Sequence, residues 1–132
     1  MIPGRRCAAV LGAVLVAGLA SRRVHTLPGF VIEHTGDVLW STAVVLALAL
    51  VRPVWSSLRL CATGLGLSVA VELSQLWQPD WLVRLRGNEV AALFLGRGFR
   101  WDDFVHYAAG VAVAFLIVDS LRRPLVEPAR AR

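Results

Sequence analysis

The chain has 132 residues, of which 57% are hydrophobic and 17% charged, and 14 arginines against nine acids leave a net charge of +5. Soluble domains run at about 45–50% apolar and about 25% charged, so the composition excludes an ordinary soluble globular fold. The arginines are scattered rather than gathered with aromatics on one face, which excludes a nucleic-acid-binding surface.

At about 20 apolar residues per membrane helix, the length holds four spans with short connections. The first predicted span covers Cys7 to Ala20, between Arg5-Arg6 and Arg22-Arg23. With small residues at Ala17 to Ala20 it also has the form of a cleavable secretory signal, and the sequence leaves that alternative open. The second covers Val38 to Val51. It starts near Phe30 or Gly36 and stops at Arg52-Pro53, because proline removes a donor and disfavours helix in the residue before it. Glu33, His34 and Asp37 lie at its entry. The third covers Leu58 to Trp77 and carries Ala62, Gly66, Ala70 and Ser74 at four-residue spacing, a small-residue stripe that predicts close packing against another helix. Cys7 and Cys61 sit in apolar runs without metal-site or disulfide spacing and read as buried small hydrophobes.

Gln78 to Trp101 is too polar at Arg84, Arg86, Asn88 and Glu89 to span, yet holds the apolar piece Val90 to Leu95. It predicts a short interfacial or re-entrant segment, with Gly96 and Gly98 turning the chain into the fourth span, Phe104 to Leu121. Residues 1–121 thus form a single transmembrane domain and residues 122–132 a basic cytoplasmic tail. The fold class is all-α: an integral membrane bundle of four transmembrane helices.

With four spans, eight arginines fall on the side of both termini and six on the other, while seven of the nine acids fall on that other side. The positive-inside rule places both termini in the cytoplasm. Polar ends of all four spans then converge on the outer side: Arg22 and Arg23, Asp37, Glu72 with Gln75, and Asp102, Asp103, His106 and Tyr107. Glu72 is the sharpest member, since an ionisable group in an apolar stretch is costly and marks a candidate functional site. It reads equally as a structural ion pair with Arg84, Arg86, Arg22 or Arg23. Asp37 and one of Asp102 and Asp103 read alternatively as helix caps, and Arg84 and Arg86 as interfacial anchors. Trp40, Trp55, Trp77, Trp81 and Trp101 fall near span ends, as an aromatic belt does.

His34 with Asp37, and Asp103 with His106, are two histidine–carboxylate pairs at three-residue spacing, which on a helix presents metal ligands. Without an HExxH run, no metal or cofactor is assigned. There is no phosphate-binding glycine loop, nucleophile elbow or Cys/His nucleophile arrangement.

The ordered run Gly36-Asp37-Val38-Leu39-Trp40, Val71-Glu72-Leu73-Ser74-Gln75-Leu76, Arg84 or Arg86, Gly96 to Phe99, and Trp101-Asp102-Asp103 with Tyr107 and Gly110 resembles the domain-of-unknown-function 2809 family of small bacterial membrane proteins. It is similar, more distantly, to VanZ-like proteins, which share a Glu-x-x-Gln near a span end followed by an Arg and an Asp. The resemblance runs from about Leu19 to Val118. It implies Asp37, Trp40, Glu72, Gln75, Arg86 or Arg84, Asp103 or Asp102, Tyr107 and Gly110 as signature positions, and a place in the bacterial inner membrane.

Two functions are expected from these residues. One is an envelope protein that binds a membrane lipid or lipid-linked small molecule in an outer polar pocket. Arg84 or Arg86 holds the anionic group there, with Asp37, Trp40, Gln75 and Tyr107 around it. The other is a small membrane enzyme on a lipid or isoprenoid substrate, with Glu72 and Asp103 as its acid–base pair. Homo-oligomerisation through helix packing accompanies either.

Overall fold

The structure, a computed structural model, describes residues 1–21, 29–96 and 98–123, with residues 29–33, 89, 93 and 94 described by their backbone alone. Six helices follow in order: α1 (Gly4–Ser21), α2 (Gly29–Val51), α3 (Ser57–Ser74), α4 (Asp80–Arg86), α5 (Glu89–Leu95) and α6 (Asp103–Arg122). Four of them, α1, α2 from His34 onward, α3 and α6, are long and apolar enough to cross a membrane. The expected bundle of four spans is present, and the short segment between the third and fourth holds two short helices, α4 and α5.

Local chemistry sets the boundaries. The last α2 bond runs from the Arg52 N–H to Leu48 at 2.7 Å, and Pro53 then has no N–H to continue. Ser56 caps α3, its Oγ accepting from the Arg59 N–H at 3.2 Å. Asn88 separates the two short helices, its Oδ1 accepting from the N–H groups of Val90 and Ala91 at 2.9 and 3.2 Å. Helix α5 stops at Gly96, whose φ of 67° is left-handed.

Helix α2 is central and packs on α1, α3 and α6, most extensively on α6. Glycines sit where helices cross closely. A Cβ on Gly64 of α3 would collide with Val45 of α2, and one on Gly110 of α6 would collide with Ser41 and the Val38 carbonyl of α2. Thr42 Oγ1 lies 2.9 Å from the Gly110 carbonyl oxygen and 2.8 Å from that of Val38, and can donate to either. The apolar core, Val45, Leu46, Ala49, Leu60, Ala114 and Val118 with Cys7 and Cys61, fills the half nearer the termini. Both cysteines are free and buried, as expected of small hydrophobes.

The predicted packing stripe on α3 faces outward instead. Ala62, Gly66, Ala70 and Ser74 are all exposed, and a Cβ on Gly66 would meet nothing. The buried face is Leu60, Cys61, Gly64, Ser68 and Glu72. Small residues surround much of this helix, and the carboxylate of Glu72 decides which face turns inward, because a charge is too costly to leave toward lipid.

The Ile2 N–H donates to the Pro53 carbonyl at 3.3 Å and Arg122 to that of Trp55. The start of α1, the α2–α3 turn and the end of α6 therefore share one end of the bundle. The opposite, polar end collects the close of α3, helices α4 and α5, and the start of α6. Trp77, Trp81 and Trp101 are exposed there, while Trp55 lies at the other end with Arg59 4.2 Å over its ring. Arg22, Arg23 and the tail from residue 124 on lie outside the described residues.

Candidate functional site

Glu72, in the last turn of α3, is completely buried. Its Oε1 accepts from the backbone N–H of Arg100 at 2.7 Å, and its Oε2 accepts from the Gln75 side-chain amide and the Tyr107 hydroxyl, each at 2.9 Å. Gln75 lies three residues on, over the same helix face, whereas Tyr107 comes from the second turn of α6. One carboxylate thus joins α3, the loop before α6, and α6 itself. Burying a charge is tolerable only with such partners.

The Arg partner expected for Glu72 is not among the donors described. Arg84 is exposed, and Arg86 is buried but directed elsewhere. Its Nη1 donates to the Trp77 carbonyl at 3.3 Å and its Nη2 to that of Ser74 at 3.2 Å. A helix leaves its last carbonyls without partners, and a cation there is favoured by the helix dipole. Arg86 therefore closes the C-terminal end of α3, and of the two arginines only it enters the site. Its Nε is buried without a hydrogen-bond partner among the described residues. Beside it opens a cleft of about 390 Å³ lined by Gln78, Val83, Arg86 and Gly87. Glu72 does not line this cleft.

Gly96 packs directly on the Gln75 side chain, leaving no room for a Cβ. Two penalties meet at this position, the collision and a positive φ that costs an L-residue about 1–2 kcal/mol. Gly96→Ala is expected to lower stability by about 2–3 kcal/mol, measured by thermal melting in detergent. Because the collision falls on Gln75, Gly96→Ala combined with Gln75→Ala should cost less than the sum of the two.

Asp37 and Trp40 are half-buried on α2. Asp37 does not cap that helix, because α2 begins at Gly29, two turns earlier. Asp102 makes no capping bond either. It accepts from Arg100 Nη2 at 2.8 Å and Nε at 3.2 Å, and that guanidinium holds its carboxyl below the usual carboxylate range. Asp103, the first residue of α6, is only 7% exposed, and its Oδ1 is 3.9 Å from Arg100 Nε, beyond hydrogen-bonding reach. His34 and His106 stack with ring centroids 4.1 Å apart and 20° between planes.

Of the residues expected at the site, Glu72, Gln75 and Tyr107 are directly bonded to one another, Asp37 and Asp103 stand beside the stacked histidines, and Arg86 supports α3 from below. Arg100 was not anticipated. It engages Glu72 through its backbone and the two aspartates through its side chain, and its one sequence signal is its place just before Asp102-Asp103 at a helix start.

A family model described as a protein of unknown function (DUF2809) matches residues 26–111. The chain belongs to this family. The DUF2809 match is shorter than the stretch read from the motifs. It contains every residue of the polar end from His34 to Tyr107, together with the Gly110 crossing, while α1 and the second half of α6 lie outside it. No solved structure matches the chain.

Proposed function

We propose that the protein binds the anionic headgroup of a membrane lipid, or of a lipid-linked small molecule, at its polar end, with Arg86 meeting the anion. The carrying observation is Arg86 itself, a buried guanidinium that borders a cleft and offers five donor hydrogens while giving two to the carbonyls of Ser74 and Trp77. Trp77 and Trp81, in edge contact at 5.7 Å, flank the same segment, where aromatic rings suit the headgroup level of a bilayer. In a bacterial envelope protein with both termini in the cytoplasm, which the arginine excess at that end favours, the cleft opens toward the outer leaflet. Glu72, engaged on both oxygens by three donors, supports an anchoring role over proton transfer with Asp103.

Native mass spectrometry of the purified protein with phosphatidylglycerol and phosphatidylcholine tests this reading. The wild type and Arg84→Gln should both retain phosphatidylglycerol preferentially, and Arg86→Gln should lose the preference. Arg86→Lys, which keeps the positive charge, should retain part of it. Equal adducts in wild type and Arg86→Gln would refute the assignment.

A further inference from the structure

His34 lies one turn before Asp37 on α2, and Asp103 one turn before His106 on α6. The tight crossing of these helices, made possible by Gly110, brings the two pairs to one place. One donor atom each from His34, Asp37 and His106 lie within 4.8 Å of one another, and so do atoms from Asp102, Asp103 and His106. We propose that His34, Asp37 and His106, with Asp103 as a further oxygen ligand, form a binding site for a first-row divalent metal ion of the zinc class.

Two observations beyond proximity point to a cation. Asp103 Oδ1 and His106 Nδ1 are buried and have no hydrogen-bond partner among the described residues. Such atoms are ordinarily paired, and a cation between them takes a lone pair from each. The electrostatics act in the same direction. Asp103 stands in the field of three other carboxylates, Asp37, Glu72 and Asp102. The guanidinium of Arg100 is half-exposed and lies closer to Asp102, at 2.8 Å, than to Asp103. A dication offsets that concentration of negative charge at short range.

The donor set selects the ion class. Imidazole nitrogen with carboxylate oxygen suits zinc and its first-row neighbours, while magnesium and calcium take oxygen ligands alone. Ligands about 2.1 Å from a tetrahedral zinc lie about 3.4 Å from one another, so the atoms of His34, Asp37 and His106 must draw together by up to about 1.4 Å, and Asp103, which is grouped with His106 but not with His34 and Asp37, must move further. Imidazole χ2 is broad, and turning either stacked ring edge-on directs a nitrogen toward the common centre. Two histidines and one carboxylate leave a fourth coordination position for water or an oxyanion, as in zinc sites that are not purely structural, and Asp103 fills that position when it binds as well.

The test is metal uptake by the full chain in detergent, without added lipid, which separates it from the lipid reading above. Dialysis against zinc followed by elemental analysis should find about one ion per chain, with affinity weakened roughly tenfold or more in His34→Ala and in His106→Ala. Asp119→Asn, at the other end of the bundle, should bind as the wild type does. Cobalt soaked into the wild type should develop the intense visible absorption of a four-coordinate nitrogen–oxygen site, a readout that needs no variant to fold. Uptake that the double variant His34→Ala/His106→Ala retains, or a wild type that takes up no zinc and shows only the pale spectrum of hydrated cobalt, would overturn the site.

Discussion

Glu72→Ala is expected to be among the most destabilising single substitutions in the chain, at about 3–5 kcal/mol. Three donors lose their acceptor together, and a buried donor left without one costs about 1–3 kcal/mol. Two of those donors, on Gln75 and Tyr107, belong to side chains at most 4% exposed, so water cannot readily replace the carboxylate. Glu72→Gln should be milder, about 1–2 kcal/mol. Its amide oxygen can keep the Arg100 N–H, and the otherwise unpartnered Oε1 of Gln75 can turn to accept from the new NH₂ group. The Tyr107 hydroxyl is then the donor that suffers, so Tyr107→Phe added to Glu72→Gln should cost less than its separate effect predicts. Thermal melting in detergent, read as the folded fraction on size exclusion, distinguishes these cases. A Glu72→Ala protein that melts with the wild type would show that the three bonds contribute nothing to stability.

Gly110→Val is expected to cost about 3 kcal/mol or more through a different mechanism. Overpacking alone costs about 1–3 kcal/mol, and more where the obstruction cannot rotate away. Here part of the obstruction is the Val38 carbonyl, a backbone atom, so α2 and α6 must separate. Separation also removes the Thr42 bond to the Gly110 carbonyl, worth about 1 kcal/mol. Gly110→Ala should fall between Val and wild type. Gly66→Ala provides the contrast: its methyl meets nothing, and alanine is the better helix former by about 0.5–1 kcal/mol, so its melting point should hold or rise. Equal melting of Gly110→Val and Gly66→Ala would show that the α2–α6 crossing tolerates a side chain.

The four spans were legible because their signal is additive along the chain: a run of apolar residues bounded by arginine or proline identifies itself without any partner. Glu72 was legible for the related reason that a carboxylate inside such a run must find polar partners within the bundle. Its partners were not, since the decisive donors are a backbone N–H at Arg100, present at nearly every residue, and a hydroxyl 35 positions away. The choice between Arg84 and Arg86 needed the rotation of α4, because residues two apart on a helix point about 200° apart and only one of them meets the end of α3. The outward direction of the small-residue stripe on α3 was hidden for a similar reason. Four-residue spacing describes Gly64, Ser68 and Glu72 as well as Ala62, Gly66 and Ala70, and size alone does not say which row faces the bundle. The histidine pairs, each unremarkable within its own helix, became neighbours only when α2 and α6 crossed.

That crossing bears on how the protein is made. The helix most extensively packed on α2, which begins at Gly29, is α6, which begins at Asp103. During synthesis the first three spans enter the bilayer while the partner surface of α2 and the donors that Glu72 needs from Arg100 and Tyr107 have yet to leave the ribosome. The chain therefore carries a carboxylate short of two of its donors from the insertion of the third span until the last helix arrives, and that arrival closes the bundle and relieves the cost in one event. A truncation before residue 100 should on this account yield a membrane-inserted chain that quality-control proteases remove rapidly.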